Sequence, residues 1–170
     1  MIKVIDNFLP KELYNNISSY IKGSDVPWFF RTQDTKLTKN KNGFYSFCYY
    51  NNNRPDHEKY YEHIVPIWQH FGFRDIGIVQ VRATLILRDI DTNSSTFHTD
   101  MHKSIKTCST AILYLTTCNA QTILKDKDKE KFVDSVENRL LLFDSNIEHR
   151  ANYQTDVHKR FFINFNFFYK

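Results

Sequence analysis

Apolar residues recur at helical spacing early in the chain and at alternate positions through most of its second half. Leu13, Ile17, Tyr20 and Ile21 fall on one face of a helix that Pro10 opens and Gly23 ends. Before it, Val4 and Ile5 suggest a short strand. A second helical segment is expected from about Asp56 to Phe71, with Tyr60, Tyr61, Ile64, Ile67, Trp68 and Phe71 on its apolar side. Pro66 should kink this helix and Gly72 should close it. Between the two, Trp28 to Thr32 and Phe44 to Tyr50 read as strands joined by a polar loop.

From Ile76 onward the period is two. Val81, Ala83, Leu85 and Leu87 alternate with Arg82, Thr84, Ile86 and Arg88. Further strands are expected at Thr110 to Leu115, Thr122 to Leu124, Lys131 to Val133, Arg139 to Phe143 and Lys159 to Tyr169. Many short strands after two helices predict an α+β, mainly β fold. The architecture expected is a double-stranded β-helix (jelly roll) with the N-terminal helices packed on one sheet. One domain over 1–170 follows, with 1–75 as helical support and 76–170 as the jelly-roll core. The last strand has two characters. Phe161, Ile163, Phe165 and Phe167 suit packing under helices, whereas Arg160, Phe162, Asn164 and Asn166 suit a polar-lined cavity.

Composition adds limits. The 15 Phe and 10 Tyr supply the alternating runs, while only 4 Gly and 4 Pro leave loops to Asn, Asp, Ser and Lys. The 3 cysteines, Cys48, Cys108 and Cys118, form no CxxC pair, and their odd number argues for a reducing compartment rather than a disulfide framework. No apolar run approaches the ~20 residues of a membrane span. The start, Met1 to Asp6, reaches an acidic residue too soon for a signal peptide, so a soluble, cytoplasmic protein is expected. Net charge is +4. Lys36, Lys39 and Lys41 form a small basic cluster, and Lys125 to Lys131 alternate with acids as in a solvated turn. No basic face is concentrated enough to make nucleic acid an expected partner.

The candidate chemistry lies in four residues. His98 and Asp100 stand two apart, so in an extended segment their side chains share a side and can reach one metal. His149 precedes a strongly β-patterned tail and can supply a third ligand from a distant strand. Two histidines and a carboxylate on one face of an octahedron leave the opposite face open, the arrangement of a non-haem Fe(II) site. Arg160, on the tail, offers a planar charged fork for an anionic co-substrate. Lys159 is the competing cation, but alternation places it with Phe161 on the other face. His102 is read as exposed or supporting, because three protein ligands suffice. His57, His63, His70 and His158 have no ligand spacing, and Arg139 with Asp144 reads as a structural pair.

Three blocks carry a resemblance: Phe97-His98-Thr99-Asp100, the strand Thr110 to Leu115, and Asn138-Arg139-Leu140-Leu141-Leu142-Phe143-Asp144-Ser145 followed by His149 and Arg160. In that order and spacing, the chain resembles the 2-oxoglutarate/Fe(II)-dependent dioxygenases. The branch is the small prolyl-4-hydroxylase-like one that includes phage-encoded members. The resemblance covers Val81 to Phe168 well and the N-terminal part loosely. It implies that His98, Asp100 and His149 bind Fe(II), and that Arg160 and Tyr114 hold the distal carboxylate of 2-oxoglutarate. Thr84 stands where many prolyl hydroxylases carry a tyrosine, and Asn164 is taken as cavity-lining. The glycine-rich segment expected before the acidic turn appears as Asn119 to Leu124, without glycine.

The implied activity is hydroxylation of a C–H bond with succinate and CO2 as co-products. O2 is the oxidant and ascorbate an accessory reductant. The implied substrate is a peptide or protein residue, with proline first. The implied location is the cytoplasm, or the host cytoplasm for a phage-encoded protein. A nucleobase or small-molecule oxygenase is the alternative within the same chemistry. A catalytically silent jelly-roll binding protein is the alternative outside it, yet such a protein should have lost a ligand or the arginine. Residues 34–53, with the aromatic run Phe44 to Tyr50, read either as a substrate lid or as a core or edge strand.

Overall fold

The computed structural model describes residues 1–32, 43–51, 54–55, 58–71, 77–88, 94–100 and 108–168. The Lys36 to Lys41 cluster, His57, Gly72, His102 and most of the lid segment lie outside them. A strand β1 (Ile2–Ile5) leads into helix α1 (Lys11–Lys22), then strands β2 (Phe29–Thr32), β3 (Gly43–Asn51) and β4 (Arg54–Pro55). Two short helices follow, α2 (Glu58–Tyr61) and α3 (Val65–Phe71). The remainder is β5 (Gly77–Leu87), β6 (Cys108–Tyr114), β7 (Gln121–Asp126), β8 (Lys129–Asp134), β9 (Leu140–Asp144), β10 (His149–Ala151) and β11 (Lys159–Phe168).

One sheet runs in the order β1-β9-β6-β11-β5-β3-β2, with β4 paired to β3, and a second runs β10-β7-β8. All pairings are antiparallel. The two sheets and the helices make the expected jelly roll. Strand β11 is central because it pairs β5 on one side and β6 on the other, and its two faces separate as the alternation predicts. Phe161, Ile163, Phe165 and Phe167 are buried under the helices. Trp68 meets Phe165 edge-on at 5.0 Å, and Phe71 meets Phe165 and Phe167 at 6.2 and 6.1 Å.

Helix α1 also buries Tyr14, whose hydroxyl donates to Leu115 O and Glu137 Oε2 and so ties the helix to the end of β6. Between the sheets a second apolar cluster, including Ile112, Tyr114, Leu124, Val133, Leu141 and Phe143, props the jelly roll open beside a cavity.

Two expectations are corrected. The second helix is not one kinked rod but two short pieces separated by a turn at 62–64. Pro66 lacks an N–H and its ring collides with the carbonyl four residues back, so the chain restarts a helix with Pro66 in its first turn. Arg139 does not pair with Asp144. Its guanidinium holds both carboxylate oxygens of Asp6, while Asp144 meets the amino group of Met1. The Lys125 to Lys131 stretch is the exposed β7–β8 hairpin, turned at Lys127 with φ 57°.

Candidate metal centre and its cavity

His98 and His149 face each other as an isolated antiparallel bridge, each backbone N–H donating to the other's carbonyl, at 3.0 and 2.9 Å. This bridge extends the small sheet beyond β10 and sets the two imidazoles with ring centres 4.5 Å apart. Each ring is oriented in the same way. His98 Nδ1 lies 3.1 Å from Thr96 O, and His149 Nδ1 lies 3.1 Å from Ile147 O. A carbonyl accepts only from an N–H, so both Nδ1 atoms carry the proton and both Nε2 atoms present a lone pair. Burial, opposed by the Asp100 charge and aided by His98, holds His149 below the ordinary histidine pKa, in the neutral form that ligates a metal.

Asp100 completes the group. Its Oδ1 is 3.9 Å from His98 Nε2 and 3.6 Å from His149 Nε2, and the three ligand atoms all lie within 4.8 Å of one another. Its Oδ2 turns away and accepts from Thr110 Oγ1 at 2.9 Å, Asn166 Nδ2 at 3.0 Å and Asn164 Nδ2 at 3.4 Å. Burial pushes the Asp100 pKa up, but His149, the Asn166 amide, His98 and the Thr110 hydroxyl outweigh it and hold the group below the usual carboxylate range. The result is one oxygen anchored and one offered. The centre sits at the surface end of the site: the His98 side chain is 52% exposed, against 5% for His149 and 9% for Asp100.

A cleft adjoins the histidines and is lined by residues of both sheets, including Thr84, His98, Thr122, His149, Arg160 and Asn164. Arg160 is 1% exposed. Its Nε donates to Ser135 Oγ at 3.3 Å and its Nη1 to Asn152 O at 3.4 Å, and the guanidinium lies over the Tyr114 and Phe162 rings. Burial lowers its pKa, with Tyr114 opposing. Among the described residues no carboxylate comes within ion-pairing distance of it. A buried guanidinium without a counter-charge, opening on a cavity, fits an anionic ligand. Two more buried acceptors in the same wall, Thr84 Oγ1 and Asn164 Oδ1, have no hydrogen-bond partner and also suit a polar ligand.

The structure therefore brings His98, Asp100 and His149 together, and puts Arg160, Thr84 and Asn164 on the adjoining cavity. Tyr114 lies behind the wall. Its hydroxyl donates to Thr122 Oγ1 at 2.7 Å, and Thr122 is the residue that lines the cleft. Lys159 is exposed at the opposite face from Arg160, as alternation implied. Thr110, Thr122 and Ser135 were not singled out from sequence, since small hydroxyl residues on strands carry no distinguishing pattern. Asn166 had a signal: it alternates with Arg160 and Asn164. Donor type and geometry both fit Fe(II), with two imidazole nitrogens and one carboxylate oxygen on one side of a point that opens to a cleft.

No family model and no curated protein matches the chain. Solved structures do. The chain is similar to a prolyl-4-hydroxylase of Pseudomonas putida, at 15% identity over 99% of this chain and 92% of that one, with a TM-score of 0.71. A prolyl hydroxylase of Trichoplax adhaerens, in complex with a hypoxia inducible factor oxygen degradation domain peptide fragment, matches at 19% identity over 98% and 83%, TM-score 0.68. The epimerase SnoN, in complex with Fe3+, alpha ketoglutarate and nogalamycin RO, matches at 6% identity over 98% and 78%, TM-score 0.67. The chain has their fold.

Proposed function

We propose that the chain is a non-haem Fe(II), 2-oxoglutarate-dependent oxygenase that hydroxylates a C–H bond, with a peptidyl residue, proline first, as its substrate. The observation that carries this reading is the pairing of a His-Asp-His centre with a buried, uncompensated arginine on one cavity. The same fold in two prolyl hydroxylases, one holding a peptide, supports the substrate class.

When bound, Fe(II) and 2-oxoglutarate supply the activation of O2, giving succinate, CO2 and a hydroxylated product. The protein's part is positioning. His98 Nε2, His149 Nε2 and Asp100 Oδ1 hold the metal and leave its cavity side open. Arg160 grips the distal carboxylate of 2-oxoglutarate through a charge-assisted fork, and Tyr114 reinforces that end through Thr122. The Thr84 hydroxyl can donate a further hydrogen bond to the co-substrate. Ile86, Ile112 and Phe162 give part of the cleft an apolar lining.

Anaerobic addition of Fe(II) and 2-oxoglutarate tests the assignment directly. Chelation of ferrous iron by a keto acid gives a visible charge-transfer absorption, expected in the wild type and absent in Asp100→Ala. A wild-type protein that develops no such absorption contradicts the reading.

A further inference from the structure

A guanidinium carries five N–H groups in one plane. It can meet a carboxylate side-on, through Nε and one Nη, or end-on, through both Nη atoms. In Arg160 the first of these edges is already taken. Its Nε donates to Ser135 Oγ at 3.3 Å, and its Nη1 donates once, to Asn152 O at 3.4 Å. One N–H of Nη1 and both of Nη2 have no hydrogen bond among the described residues. The end-on edge is therefore the one whose two nitrogens can both still donate to an anion.

Ser135 makes that selection. It directly follows β8 and is fully buried. Its N–H donates to Ala120 O at 2.9 Å, its carbonyl accepts from Cys118 N at 3.0 Å, and its hydroxyl donates to Thr116 O at 2.8 Å. A hydroxyl has one proton, and Thr116 O takes it, so lone pairs are what Ser135 turns towards Arg160. Thr116 Oγ1 in turn accepts from Phe161 N at 3.1 Å, so the segment that orients Ser135 also fastens the backbone next to Arg160. Ser135 is neutral. It holds the cation without cancelling its charge, as a buried carboxylate in its place would. His98, Asp100 and His149 fix the other end of the site, so the protein sets the span between the metal and the arginine fork.

We propose that Ser135 is a positioning residue for the co-substrate: by holding Nε of Arg160 it presents the end-on fork at a fixed distance from the metal ligands, and so sets the chain length of the 2-oxo diacid the site accepts. The inference rests on the oxygenase reading. Without the hydroxyl, Nε is a buried donor lacking an acceptor, and the guanidinium turns to satisfy it. A carboxylate can then be met side-on as well as end-on, and acids of neighbouring length fit almost equally.

Oxaloacetate, 2-oxoglutarate and 2-oxoadipate differ by one methylene each and provide the test, titrated by calorimetry into Mn(II)-loaded protein. Wild type is expected to favour 2-oxoglutarate over either neighbour by at least about tenfold, the scale of one methylene in a fitted site. Ser135→Ala, and Ser135→Cys, which keeps the volume but offers only a weak sulfur acceptor, should bind 2-oxoglutarate roughly tenfold more weakly and discriminate by less than about threefold. Ser135→Thr, which keeps the hydroxyl, should retain the wild-type order. Mn(II) affinity without any acid, read by electron paramagnetic resonance, should be the same in all of them. A merely structural role would weaken the metal and all three acids together and leave their ratios in place, and that result overturns the proposal. Wild type that does not discriminate also overturns it. Wild type that gives the Fe(II)–2-oxoglutarate absorption, with its discrimination intact in Ser135→Ala and Ser135→Cys, overturns this inference alone. Wild type that binds none of the three acids overturns it together with the oxygenase reading.

Discussion

Asn166 Nδ2 lies 3.0 Å from Asp100 Oδ2, so the carboxylate oxygen facing away from the histidines is held by a neutral donor on the last strand. The same amide also donates to Thr110 Oγ1 at 2.9 Å, which in turn donates to Asp100 at 2.9 Å, closing a three-membered network. Partners that orient a metal ligand typically contribute 10- to 100-fold in metal affinity. Asn166→Leu is therefore expected to weaken Mn(II) binding by about that range, measured by electron paramagnetic resonance titration of free Mn(II). Wild-type affinity in this variant would show that Asp100 needs no such anchor.

Arg160→Ala should raise the 2-oxoglutarate dissociation constant by a factor corresponding to about 1.5–3 kcal/mol, the range for hydrogen bonds to charged groups. Lys159 cannot take over, because it is exposed on the other side of β11. Calorimetric titration of 2-oxoglutarate into Mn(II)-loaded protein measures the change. An unaltered constant would move the anion site elsewhere.

Asn138 has φ 58° and fastens Leu9 at both ends: Leu9 N donates to its Oδ1 at 2.9 Å, and its Nδ2 donates to Leu9 O at 2.8 Å. Asn138→Ala loses these bonds and leaves in the left-handed region a residue that tolerates it less well than asparagine, a cost of about 2–4 kcal/mol. Asn138→Gly keeps the backbone geometry free of strain and should cost less. Urea unfolding of both variants checks the order, with the midpoint shifting and the slope unchanged.

Asn138 also shows what a sequence makes legible. Its φ of 58° lies in the left-handed region, which asparagine tolerates better than most residues, so an Asn just ahead of a strand is a readable turn signal. The triad was readable for a similar reason: His98 and Asp100 are two apart, and His149 and Arg160 fall at the start of the β-patterned tail. The double character of β11 likewise follows from period-two alternation. Long-range polar pairing was not readable. Arg139 finds Asp6 across 133 positions, and alternation says nothing of such a contact. Tyr114 was expected at the anion itself, but whether a cavity-side tyrosine reaches the space or stops at Thr122 depends on packing between the sheets. The break at 62–64 is similar, since Pro66 forbids a continuous helix without specifying a kink or a restart.

Stability should fall in alkali. Burial raises the Tyr114 pKa to about 12, against the opposing Arg160 charge, and raises Tyr14 to about 12, with Ser18 opposing and Glu137 adding. Both start from 10 in the unfolded chain, so the folded state keeps its phenol protons where the unfolded state has lost them. Their stabilising contribution is complete below pH 10 and is lost as pH rises through about 12. Urea midpoints at pH 8 and at successive steps above pH 10 should decline, and less steeply in a Tyr14→Phe variant. A flat profile would mean these phenols ionise without unfolding the chain.

The central claim is that His98, Asp100, His149 and Arg160 form a working oxygenase site, and succinate formation from 2-oxoglutarate without added prime substrate measures it most directly. Purified protein with Fe(II), ascorbate, 2-oxoglutarate and O2 should produce succinate slowly. Omission of iron or oxygen, replacement of Fe(II) by Zn(II), or the Asp100→Ala substitution should each abolish it, because zinc accepts the same ligands without redox chemistry. Succinate from the wild type no greater than from Asp100→Ala would contradict the account and leave a jelly roll that binds without turning over.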